Sequence, residues 1–545
     1  MRSKWWPLAA ITLGNFMLLV DVTIVNTALP QIARGLDASF TSLQWVMDIY
    51  ALALAALLMA AGSAADLFGR RRLYLAGLAV FALSSLACGL ASDADVLIAA
   101  RAVQGAGAAA MFATNTPLLM AVYAGRDRAV AFGVWGGTSG AAAAMGPVLG
   151  GLLTEYADWR WIFLVNLPLT AIAMWITVRT VPESRGAPGS RVDWPGAVLF
   201  TLCAGALTYG LIRGGEEGWT DPVARTALLG SAVALVAFVL AERRTRQPLL
   251  DLRLLRRPSF AVLMAAALLL QAAAFPYLMY AGLWFQSVLG LSPVQAGLAC
   301  LPLGVTSMLV GAVGGRVLGR LAPGRTVGCG LLLVGAGALT HVLLLDSGSD
   351  WTALAPGLVL TGIGTGCAMP VLVQAALGSA PPERAGMASG AVNTFRQLGY
   401  ALGIAVLGTV FASRVRDVVQ DKAPGDHTGE AAEAISGGHA QSVLHAAEPG
   451  PARHALESVV RDAFAAGLDR ICLYAGVTAL AAGVLVLAVV RGGPQPARPA
   501  APRNDRPEAD HPQAGRPQAV TPQTVGAQAV SAQTVGAQAV SPRAR

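Results

Sequence analysis

The sequence predicts an all-α polytopic membrane protein of fourteen spans, two six-helix bundles with two helices inserted between them. Three observations lead there. The 545 residues are 55% hydrophobic and only 13% charged, about half the charge density of a soluble domain. Apolar runs recur along the chain, and a helix of about 20 such residues crosses a bilayer core of roughly 30 Å. Segments of the two ends also repeat: GSAADLFGRRR from Gly62 follows the second run, and AVGGRVLGRLA from Ala312 follows the tenth.

In order, the expected spans are 8–29, 42–62, 72–91, 96–120, 129–153, 160–180, 194–212, 223–241, 260–281, 294–315, 325–345, 352–378, 390–412 and 464–490. Residues 1–180 form the N-terminal bundle, 181–259 the inserted pair with its linkers, and 260–491 the C-terminal bundle. Residues 413–463, polar with scattered charges, read as a long outer loop before the last span. Residues 492–545 are Pro-rich and then repeat QTVGAQAV. With almost no large apolar residues they cannot bury a core, so a disordered tail is expected.

An even number of spans puts both termini on one side. Arg70, Arg71 and Arg72, and then Arg243, Arg244, Arg246, Arg253, Arg256 and Arg257, fall on the side of the N-terminus. The opposite short loops hold Arg34, Arg160, Arg213 and Arg225 and are otherwise acidic. Basic residues mark the cytoplasmic side, so both ends are expected there, in a bacterial plasma membrane.

Composition also excludes. The net charge of +8 sits in short loops beside spans, so nucleic acid is not an expected partner. The six cysteines all fall in apolar runs without metal-type spacing, which argues against a disulfide frame or a metal site. There is no Walker loop and no signature of a soluble enzyme, so neither ATP hydrolysis nor a bound cofactor is expected.

The first span, LGNFMLLVDVTIVNTALP from Leu13, carries the chemistry. Asp21 lies inside it, and insertion scales charge a mid-membrane Asp about 2.5–3.5 kcal/mol. It therefore needs a partner or a water-lined cavity. Arg101, in span four, lies at a similar depth, and a cation there would favour an ionised Asp21. The pair is read as the proton-coupling site. The plainer alternatives are that Asp21 is packing glue and that Arg101 snorkels outward.

Span five holds Gly136 and Gly140, then Gly146, Pro147, Gly150 and Gly151. Small residues four apart let helices approach closely, and Pro147 can bend the span. This reads either as a sliding contact between halves or as static packing. Asp66, Gly69 and Arg70 form a tight inner loop suited to a conformational gate. Arg396, near the inner end of span thirteen, is either a gate contact or a snorkelling anchor. Asn26, Asp48, Phe112, Trp135, Tyr277 and Trp284 are cavity candidates, Asp48 at the outer edge of span two, while the aromatics could equally face lipid. His341, alone in span eleven, reads as packing.

The repeat is incomplete. Gly69 and Arg70 match Gly319 and Arg320, and Gly105 and Gly107 match Gly362 and Gly364, but Arg101 meets Leu358. Ionisable groups survive in the N-terminal half only. Repeated halves around a midplane site are the build of secondary transporters.

At these residues the chain resembles the major facilitator superfamily, in particular its fourteen-spanner drug:proton antiporters. DVTIVNTALP from Asp21, GSAADLFGRRR from Gly62, RAVQGAG from Arg101, GAAAAMGPVLGG from Gly140 and WRWIFLVNLP from Trp159 carry the likeness, in order, across residues 8–490. The resemblance implies export of small, mostly hydrophobic compounds in exchange for protons, with Arg101 implicated in proton transfer and the Gly/Pro motif characteristic of exporters. The intramembrane acids are few, which argues against polycationic substrates. An importer of a small nutrient and a non-transporting receptor or scaffold are the competing readings.

Overall fold

Fourteen long helices run through the described residues. A computed structural model describes residues 4–490 apart from 186–192, 246–247, 318–321, 380–384, 423–427 and most of 438–450. The expected tail 492–545 and the repeat residues Gly319 and Arg320 lie outside the described residues.

The helices are α1 Trp6–Leu36, α2 Phe40–Phe68, α3 Arg70–Gly89, α4 Ala94–Val122, α5 Gly125–Tyr156, α6 Trp161–Thr180 and α7 Trp194–Glu216. They continue as α8 Pro222–Arg244, α9 Pro258–Val288, α10 Pro293–Val317, α11 Pro323–Leu344, α12 Ala355–Ser379, α13 Ala385–Lys422 and α14 Pro451–Val489. Thirteen helices among the described residues are long and apolar enough to cross a membrane. The fourteenth, α5, has 32 residues, and its eight glycines make it less apolar than the others. The chain is a multi-pass membrane protein.

Short polar loops start the helices where the sequence supplies caps. Ser39 accepts from Ser42 N at 3.1 Å, Asp93 from Val96 N at 2.9 Å and Asp221 from Ala224 N at 2.8 Å. Each satisfies an amide that the helix itself leaves open. The Val96 amide also holds the Asp93 carboxyl below the usual carboxylate range. Prolines lie inside α1, α4, α5, α10 and α12. Helix α9 is interrupted at Phe275–Pro276 and ends in a π turn, Trp284–Val288.

The expected loop over 413–463 is largely helical. Helix α13 runs on to Lys422, a short helix covers Thr428–Ser436, and α14 starts at Pro451. Charge suggested a loop, but a helix persists beyond the bilayer when one face stays apolar. Val415, Val418 and Val419 on α13, with Val459, Val460 and Phe464 on α14, supply that face, all buried. Lys422 and Asp462 pair across it at 2.5 Å.

Helices α2 and α3 pack on α4, and α1 on α5, while α10 and α11 pack on α12, and α14 packs on α11. Contacts of α2 with α13 and of α5 with α10 join the two sets. The inserted helices α7 and α8 pack on each other, and α7 leans on α2 and α13. The two sets seal at the end that holds Ile32 and Trp284. Gln31 Nε2 donates to Gln286 Oε1 and Gln286 Nε2 to Thr27 O, both at 2.8 Å, and Val294 N donates to Glu155 Oε2 at 3.0 Å. Behind these, the Tyr280 ring stacks obliquely between Phe40 and Phe411, 6.1 and 5.0 Å away.

Candidate functional site

Asp21 and Arg101 meet in a closed polar cluster inside the N-terminal set. Both are 1% exposed. Arg101 Nη1 donates to Asp21 Oδ2 at 2.5 Å, and Gln104 Nε2 donates to Asp21 Oδ1 at 2.9 Å. Asn166 Nδ2 adds a third donor at 3.3 Å. Three donors thus converge on its two oxygens, which act there as acceptors.

Helix periodicity explains the assembly. Arg101 and Gln104 are three apart on α4, so they share a face and present their side chains to one point on α1. Arg101 Nη1 also donates to Gln104 Oε1 at 2.8 Å, and its Nε to Val46 O at 3.1 Å. Its guanidinium lies over the Tyr50 ring, 4.1 Å from the centroid, a contact that offsets part of its desolvation. Ser85 Oγ receives Gln104 Nε2 at 2.9 Å. The sequence reading missed Tyr50, Ser85, Gln104 and Asn166. Gln104 sits inside RAVQGAG and could have been found there, since an amide one turn from an intramembrane Arg needs partners of its own.

The inner loop is also assembled. Arg70 Nε and Nη2 hold Asp66 Oδ1 at 3.0 and 2.9 Å. Gly69 joins α2 to α3 with φ +113°, a conformation only glycine adopts freely. Glu183, which follows α6, accepts from Arg71 N and Arg72 N at 3.1 and 3.3 Å. A carboxylate on those first amides complements the helix dipole. A lone Glu after a span gave no signal in the sequence.

The glycines of α5 divide between two neighbours. A Cβ on Gly146 or Gly150 would strike Thr23 or Thr27 of α1, so both face their own half. Gly151 faces Pro293 and Val294 of α10, and the Pro147 backbone meets Gly297 there, across the junction. Gly136 and Gly140 lie in α5 but outside the residues whose surroundings are described.

The cavity candidates scatter. Asn26 lines a cavity of ≈ 30 Å³ with Thr23, Pro147, Leu278 and Leu303. Tyr277 and Trp284 are buried in the packed seal. Phe112 and Trp135 pack on the N-terminal core instead. Asp48, the ninth residue of α2, is fully buried, and neither carboxylate oxygen has a donor. Arg396 is not near the inner end of its helix, because α13 starts at Ala385.

A bundle of membrane helices in two matched sets, with an ion pair sealed inside one of them, is the architecture of a secondary transporter. The family profile of the Major Facilitator Superfamily matches residues 11–404, and the chain belongs to that superfamily. It is 37% identical over 413 residues to the multidrug resistance protein Stp of Mycobacterium tuberculosis, covering 76% of each chain. It is 35% identical over 521 residues to the tetracenomycin C resistance and export protein of Streptomyces glaucescens, covering 92% of this chain and 94% of that one. Its fold is similar to a bacterial homologue of the human lysosomal transporter Spinster, solved inward-facing and unoccupied. The TM-score there is 0.61 at 16% identity, over 90% of this chain and 98% of that one.

Proposed function

We propose that the chain exports small hydrophobic compounds, antibiotics or other secondary metabolites, in exchange for protons by alternating access. The observation that carries this is the Asp21–Arg101 pair at 2.5 Å, buried yet unneeded by any visible catalytic centre. Relatives that match most of the chain are named for resistance and export, which supports drugs over nutrients as cargo.

Asp21 is the group that takes and releases the proton, and Arg101 is its counter-charge. Gln104 and Asn166 hold the carboxylate when the proton leaves. Protonation releases Arg101 from its ion pair, so the cluster has two arrangements that a moving proton selects. The Arg asymmetry of the loops supports a plasma-membrane exporter with both termini in the cytoplasm. The end sealed by Gln31, Gln286 and Phe411 is then the outer one. Residues 1–180 and 260–491 are the two moving halves, and Asp66, Gly69 and Arg70 form the inner gate.

Export is tested in a strain lacking the gene, by accumulation of tetracenomycin C and puromycin with and without the restored chain. Restored cells accumulate less, and a protonophore abolishes the difference. Equal accumulation of both compounds, with the chain present in the membrane, contradicts the export reading for this chemistry.

A further inference from the structure

We propose that Asp193 and Glu242 form a second proton-binding site, a buried carboxyl–carboxylate pair at the inner end of the inserted helices α7 and α8. It stands apart from the Asp21–Arg101 cluster and goes beyond the export reading.

The two helices bring the acids to one spot. Asp193 caps α7, and its Oδ1 accepts from Gly196 N at 2.9 Å. Glu242 lies in the last turn of α8, and its Oε2 accepts from Leu250 N at 3.3 Å, on the segment that follows. The other two oxygens, Asp193 Oδ2 and Glu242 Oε1, each lie 2.7 Å from the point that a Cβ on Gly196 would occupy. They share the space of one methyl group, which glycine leaves open. The rings of Phe200 and Phe238, 5.7 Å apart, pack α7 on α8 just above.

The chemistry is that of two acids without a cation. They are 5% and 4% exposed, and neither facing oxygen has a hydrogen-bond partner. Among the described residues neither acid is in an ion pair. The apolar cluster around them receives Met59 and Ala60 from α2, Ala388 and Ala391 from α13, and Leu249 and Leu250. Asp66 of α2 is paired with Arg70, and Arg396 of α13 bonds to Asn393. Arg243 and Arg244 of α8 are exposed, and Asp251 Oδ1 takes Arg253 N at 2.9 Å.

Two carboxylates so placed do not both ionise, and a single proton between them satisfies both oxygens. The helix ends assign it. Asp193 sits at the positive end of α7 and keeps its charge, whereas Glu242 sits at the negative end of α8 and holds the proton. The Glu242 hydroxyl donates to Asp193 Oδ2. When that proton leaves to water, the facing charges repel, Glu242 turns away and Leu250 N loses its acceptor. The proton therefore fastens segment 249–257, which leads into α9, to the end of α8. Asp251 N on the same segment meets Met387 Sδ of α13 at 3.3 Å, so its release reaches the C-terminal half.

The test uses the full-length chain in nanodiscs. Infrared spectra at pH 7 read the protonated carboxyl, and hydrogen exchange of residues 249–257, corrected for the intrinsic rate, is compared at pH 6 and pH 8. Wild type minus Glu242→Gln shows the carbonyl band of one protonated carboxyl. Exchange of the segment in wild type rises at least fivefold from pH 6 to pH 8, and Glu242→Gln, which still accepts from Leu250 N, removes the rise. Asp193→Asn, which keeps the cap and donates to an ionised Glu242, removes band and rise as well, and serves alone if Glu242→Gln does not fold. Absence of the band, equal exchange at the two pH values in wild type, or a rise retained in either variant overturns the proposal.

Discussion

Gln104 Nε2 donates to Asp21 Oδ1 at 2.9 Å while the same amide's oxygen accepts from Arg101 at 2.8 Å. The side chain thereby closes a triangle around the ion pair and fixes the register of α4 against α1. Replacing it should disturb coupling without removing either charge. In Gln104→Leu the buried carboxylate loses one donor, about 1–3 kcal/mol, so gradient-driven efflux should fall roughly tenfold or more while expression persists. Efflux at the wild-type rate would make Gln104 a bystander.

Gly69 is predicted to resist substitution on two counts. Its φ of +113° strains any side chain by about 1–3 kcal/mol. A Cβ there would also lie 2.7 Å from Glu183 Oε1, pushing away the carboxylate that caps α3. Gly69→Ala should lower the unfolding temperature measured in detergent, and Glu183→Gln should lower it less. A Gly69→Ala protein as stable as wild type would show that the loop relaxes freely.

Gly146→Leu should abolish efflux, because the added side chain enters the contact between α5 and Thr23 of α1. Loss of folded protein on size exclusion would assign the defect to packing within the N-terminal half. Wild-type efflux would show that α1 and α5 can separate at this point.

Topology can be read at Gln420, an exposed residue near the end of α13. In a cysteine-free background, Gln420→Cys should react with an impermeant thiol reagent in intact cells. Labelling only after permeabilisation would invert the orientation. Ser436, in the same region, is 3% exposed and would report poorly.

Most of the fold was legible because bilayer physics leaves few solutions. Apolar length marks a span, and loop arginines mark a side. Asp21 and Arg101 stood out because a charge at that depth demands a reason. What stayed hidden was contact across elements. Asn166 on α6 and Glu183 after it are ordinary polar residues until folding brings them to Asp21 and to the α3 amides. Residues 413–463 misled because their charges mask an apolar stripe that only helical spacing reveals. The depth of Arg396 was misjudged for a related reason, since helix α13 starts at Ala385, before the apolar run that located it.

The account depends most on Asp21 as the proton-carrying group. Asn in its place keeps the size and hydrogen-bonding capacity but cannot cycle a proton. Purified Asp21→Asn protein in proteoliposomes, given an imposed pH gradient, should bind an exported compound nearly as wild type does and fail to move it uphill. Gradient-driven accumulation in Asp21→Asn at the wild-type rate would contradict the account and move the coupling to another acid, with Asp48 the first to examine.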